Sequence, residues 1–62
     1  MRTFNLIDHD GKTITIRPIG AGRAEIIWGG EDVSRIVSES EARFVAVSLK
    51  RQGNREVDNV SA

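Results

Sequence analysis

Two glycine-bearing loops, His9-Asp10-Gly11 and Gly20-Ala21-Gly22, separate three stretches in which apolar and polar residues alternate. Phe4 and Leu6 alternate with Thr3, Asn5 and Ile7. Ile14 and Ile16 alternate with Thr13, Thr15 and Arg17, and Ala24, Ile26 and Trp28 alternate with Glu25 and Ile27. Such period-2 patterns, rich in β-branched residues, read as strands. A two-residue Asp10-Gly11 loop sets Ile14 opposite Ile7 and scatters the apolar side chains over both faces. A three-residue loop, His9-Asp10-Gly11, instead sets Leu6 opposite Ile14 and Phe4 opposite Ile16. A one-residue slip exchanges the faces of a whole strand, so burial selects the second register, with Gly11 at positive φ. A second three-residue loop, Gly20-Ala21-Gly22 with Gly22 at positive φ, sets Ile16 opposite Ile26, Ile14 opposite Trp28 and Arg17 opposite Glu25. One face of the meander is then Phe4, Leu6, Ile14, Ile16, Ala24, Ile26 and Trp28. The other carries Thr3, Asn5, Thr13, Thr15, Arg17 and Glu25, with Ile7 and Ile27 as exceptions.

Beyond Trp28, residues 29–32 read as a turn and 33–37 as a short fourth, edge strand. Its parity is ambiguous, and Arg35 suits an exposed edge. Ser38 and Glu41 form a capping-box pattern, and Ala42, Val45, Ala46 and Leu49 recur at helical spacing. Lys50 and Arg51 suit the last turn, and Gly53 supplies a stop. The spacing predicts a helix from Glu39 to about Gln52. The β-prone run from Phe44 to Leu49 offers a competing strand, and the caps at both ends favour the helix. The expected fold is α+β: an antiparallel meander of three to four strands with one C-terminal helix packed on one face. It occupies residues 1–53, with 54–62 as a frayed tail. The architecture is similar to the small three-stranded-sheet-plus-helix domains of phage integrase arm-binding type and AP2 type. That similarity is one of fold, and no motif in the chain carries it.

With 62 residues, such a domain buries only about 60% of the surface its unfolded chain exposes. Domains this small usually add a staple. The chain has no cysteine and a single histidine, which leaves neither a disulfide nor a zinc site. The remaining staple is association, with itself or with another protein. Nine basic residues balance nine acidic ones, which argues against binding nucleic acid through bulk charge. The start lacks an apolar signal-peptide core, and no apolar run is long enough to span a membrane. The expectation is a cytoplasmic protein.

The motifs for chemistry fail on spacing. A dinucleotide loop needs a third glycine and a following helix, whereas Glu25 occupies the position and the chain continues as a strand. Asp8-His9-Asp10-Gly11 resembles the start of a calcium loop, but the twelfth residue from Asp8 is Ile19 where a bidentate Glu is required. His9 at a loop tip has no oriented serine partner. The acid pairs Glu31-Asp32 and Glu39/Glu41 suit a turn and a helix start. The reading is a non-enzyme with no cofactor, metal or small-molecule substrate.

Two surfaces remain. Phe44, Val47 and Arg51 lie outside the buried helical stripe, and with Ile36 on the edge strand they are the candidates for a protein interface, including a homodimer. Lys12, Thr15, Arg17 and Arg23 are the candidates for nucleic acid, since sheets can read DNA with strands in the major groove. The leading reading is a small protein-binding module, a stand-alone regulator or inhibitor of a larger complex. A chain this short suits a phage or other mobile element acting on a host complex. The alternative is DNA binding through the polar sheet face around Arg17.

Overall fold

The computed structural model describes residues 2–57. Five strands and one helix follow in the order β1 (Phe4–Ile7), β2 (Thr13–Gly20), β3 (Arg23–Trp28), β4 (Val33–Ser38), α1 (Glu39–Arg51) and β5 (Arg55–Val57). The strands form one antiparallel sheet in the order β4-β3-β2-β1-β5. The fold is α+β, as the alternation and the helical spacing require, with five strands instead of three to four.

The register follows the apolar pattern. Phe4 pairs with Ile16 and Leu6 with Ile14, while Ile14 pairs with Trp28, Ile16 with Ile26 and Arg17 with Glu25. Leu6, Ile14, Ile16, Ala24 and Ile26 are buried under Ala42 and Ala46 of α1. Phe4, Trp28, Val37, Val45 and Leu49 close the margins of this core. The two alanines are the most buried residues of the helix, and their small side chains let its axis lie close to the sheet.

The first loop is built as expected. Gly11 has φ +80° and donates its N–H to the Asp8 carbonyl at 3.0 Å. The Asp8 carboxylate accepts from the N–H groups of Asp10 (2.9 Å) and Lys12 (2.8 Å). The second loop is a correction. Gly20 pairs with Arg23, so the turn holds only Ala21 and Gly22, and the extra residue is taken up by a bulge between Pro18 and Gly20. Ala21 and Gly22 have φ +54° and +72°, the type I′ pattern whose twist matches a hairpin. Moving the extra residue from loop to bulge leaves the register between Ile14 and Arg17 unchanged, so the apolar pattern is indifferent to it.

β4 pairs with β3 along its length without a shift. Val37 lies opposite Ala24 and Arg35 opposite Ile26, which puts Val33, Arg35 and Val37 on the helix side and Ser34, Ile36 and Ser38 on the outer side. Ser38 ends the strand and caps the helix, its Oγ accepting from the Glu41 N–H at 3.0 Å. Residues 44–49 are helix.

At the other end, Gly53 (φ +102°) donates to the Lys50 carbonyl and Asn54 to the Leu49 carbonyl, each at 3.1 Å. This is the Schellman arrangement. It turns the chain back beside β1, where Asn5, Leu6 and Ile7 pair with Val57, Glu56 and Arg55. The frayed tail expected from residue 54 is therefore corrected for 55–57, which form an edge strand. Residues 58–62 lie outside the described residues. Lys50 Nζ reaches Glu56 at 2.6 Å and sits 5.9 Å from the centre of the Phe4 ring, tying the end of the helix to β1 and β5. Among the described residues no helix is long and apolar enough to cross a membrane.

Candidate functional site

The helix covers one face of the sheet and leaves the outer face open. Along the middle of that outer face, Thr15 Oγ1 donates to Asn5 Oδ1 at 2.7 Å. One row away, Arg17 Nη2 lies 2.8 Å from Glu25 Oε1, and Arg17 Nε donates to the same oxygen at 2.9 Å. An exposed pair of this kind contributes at most about 1 kcal/mol to stability, but it cancels the charge of Arg17 locally. Ile7, Ile27 and Ile36 flank these polar groups. Ile7 faces Thr13, Ile27 faces Thr15, and Ile36 stands opposite Glu25.

The four nucleic-acid candidates do not gather into one patch. Thr15, Arg17 and Arg23 share the outer face by strand alternation. The Lys12 stem lies across Gly30, where an added Cβ would meet Lys12 Cγ at 2.8 Å. There it lines a cleft with Asp8, Thr13, Ile14, Trp28 and Glu31 of about 30 Å³, roughly the room of one water molecule. The Asp8 carboxylate oxygen at this cleft already accepts two backbone N–H groups, which makes Asp8 a loop-forming residue. The glycine loop at 20–22 leads straight into β3, so no helix N-terminus meets it. His9 is exposed and stands beside Gly53, where a Cβ would come within 3.0 Å of Nε2. Among the described residues no group of three or more His, Cys, Asp or Glu is placed to hold a metal.

The protein-interface candidates divide differently. Phe44 is 71% exposed and Val47 48% exposed. They lie three residues apart on the side of α1 turned away from the buried alanines, and Arg51 follows Val47 one turn later on the same side. Ile36, 59% exposed, belongs to the outer face of the sheet, so it does not join that helical ridge. The sequence put Phe44 outside the buried stripe without fixing how open it is; the ring is largely exposed, because the narrow Ala42-Ala46 contact gives the sheet no reach around the helix. Arg35 and Glu41 carry a placement that their sequence context hides. Both lie on the helix side of the sheet, toward its β4 edge. Lys50 marks the β1 side of the helix, and Glu41, nine residues earlier, projects about 180° away from it.

No protein-family model, curated protein or solved structure matches this chain.

Proposed function

We propose that the chain is a non-catalytic protein-binding module, a regulator or inhibitor of a larger complex, which presents the outer side of α1 to its partner. The observation that carries this reading is the exposure of Phe44 beside Val47 on a helix whose opposite side already fills the core. Aromatic anchors dominate the energetics of protein interfaces, and Arg51 at the end of the ridge adds a polar rim contact. DNA binding through the outer face has less support, because Arg17 is held by Glu25 and Lys12 points elsewhere.

A tagged pull-down from source-cell lysate, with nuclease treatment and mass spectrometry, tests the proposal. The expected result is a protein captured by the native chain and lost with Phe44→Ala and Val47→Glu, while circular dichroism stays unchanged. Capture that is indifferent to both substitutions overturns the helix assignment. A salt-dependent shift of duplex DNA that Arg17→Ala abolishes supports the alternative.

A further inference from the structure

The two edges of the sheet are not alike. Among the described residues β5 spans three, charged at Arg55 and Glu56, and Glu56 is tied to the helix. β4 is six residues long, carries one charge, contains no proline and pairs with β3 without a bulge. Strands of that kind are open to edge-to-edge pairing. The Glu39 N–H donates to the Gly22 carbonyl at 2.9 Å, which makes Glu39 and Gly22 a hydrogen-bonded pair. Alternation along the ladder then turns the N–H and C=O groups of Val33, Arg35 and Val37 toward β3 and those of Ser34, Ile36 and Ser38 toward the open edge.

We infer that β4 pairs with β4 of a second copy, antiparallel about a two-fold axis through Ile36, joining two five-stranded sheets into one continuous sheet. Two symmetric registers present themselves. Centred on Arg35, the pairing sets two guanidinium groups directly opposite each other, and like charges so placed repel. Centred on Ile36, it joins the two Ile36 residues by reciprocal backbone hydrogen bonds and lets each Ser38 N–H donate to Ser34 of the second copy. The Ile36 side chain, 59% exposed in the single chain, is then covered by its own symmetry mate.

Charge selects the same occupant. In this register Arg35 stands opposite Val37 of the second copy, just before the start of that copy's helix. Glu41 projects from the first turn of the helix toward the β4 side. Among the described residues neither Arg35 nor Glu41 has an ion-pair partner. The axis supplies each with the other, twice. An open groove lies between the β2–β3 turn and the end of β4, lined by Ala21, Gly22, Arg23, Ile36, Val37 and Ser38. The edge and the Phe44 ridge are separate surfaces, so this association does not depend on the binding role of the helix. Because the axis runs through the sheet, both ridges end up on one side of the dimer.

Sedimentation velocity of the full chain from micromolar to millimolar concentration is the test. The native chain is expected to reach a dimer. Ile36→Pro removes an N–H that faces the open edge, so β4 keeps its pairing with β3; it is expected to be monomeric with an unchanged circular dichroism spectrum. Arg35→Glu is expected to weaken the dimer by roughly fivefold, and the double variant Arg35→Glu/Glu41→Arg to restore it. That charge swap keeps the test decisive should Ile36→Pro fail to fold. Val47→Glu is expected to leave the dimer intact even where it abolishes partner capture. A monomer at every concentration overturns the inference and leaves Arg35 as an edge guard. So does a dimer that survives Ile36→Pro, ignores the charge swap or dissolves with Val47→Glu.

Discussion

Among the described residues, two other than glycine have positive φ: Ala21 at +54° and Asp32 at +56°. A left-handed conformation costs an L-residue with a Cβ roughly 1–2 kcal/mol. At Ala21 no side-chain hydrogen bond offsets it, since an alanine has none to make. Replacement by glycine removes the strain but adds unfolded-state freedom, so Ala21→Gly is expected to stabilise by about 0.5–1 kcal/mol, read from urea denaturation. Gly11→Val at φ +80° goes the other way, with an expected loss of about 2 kcal/mol. Space is not the cause, because a Cβ at Gly11 meets nothing within 4 Å. Equal stability of Gly11→Val and the native chain would remove the loop's part in fixing the register. The sequence located both loops, since a glycine-bearing triplet interrupts the alternation at each. It did not divide the second one into turn and bulge, because either arrangement buries the same isoleucines.

At the scale of elements, β5 depends on the end of α1. Gly53 holds the left-handed position of the Schellman arrangement, and Asn54 adds a hydrogen bond from its Nδ2 to the Leu49 carbonyl at 2.8 Å. Gly53→Ala strains the backbone at φ +102° and brings a Cβ within 3.0 Å of His9 Nε2. The imidazole ring can move aside, so the backbone supplies most of an expected loss of about 1–2 kcal/mol. Amide hydrogen exchange is expected to quicken selectively at Arg55–Val57 and at their β1 partners, while β2 to β4 stay protected. Uniform quickening would mean that β5 is no separable element. This strand was illegible in the sequence for a physical reason. Three residues make barely one pleat repeat, and what places them is a helix cap and the Lys50–Glu56 pair. β4 was legible as a strand but not in its parity, since it is exposed at Val33, Arg35 and Ile36 alike. Only its pairing with β3 orients it. The helix itself was legible from both caps, and the spacing put Phe44 outside the buried stripe, though it did not show that Phe44 is more exposed than Val47.

For the whole molecule, stability rests on few side chains. Leu6, Ile16 and Ile26 are the largest fully buried ones. Truncating a buried leucine costs about 3–5 kcal/mol, and a domain of this size has about 5 kcal/mol in total. Leu6→Ala is therefore expected to keep at most about 2 kcal/mol and to melt far below the native chain by circular dichroism, whereas Phe44→Ala, of a larger but exposed side chain, is expected to change stability by no more than about 0.5 kcal/mol. If the two variants melted alike, the ring of Phe44 would be packed in solution and the ridge assigned to it would not exist.

The helix joins the two opposite edges of the sheet, running from β4 to β5, and this has a consequence for order in time. β1 is synthesised before the other described strands, yet one of its neighbours is β5, at residues 55–57. The meander from β1 to β4 closes through short hairpins, each a microsecond event. The β1–β5 ladder must wait until nearly the whole described chain has left the ribosome and the helix has been laid across. Until then the Phe4–Ile7 strand waits with one side unpaired. That side of β1 is open to a wrong partner for as long as β5 has not docked.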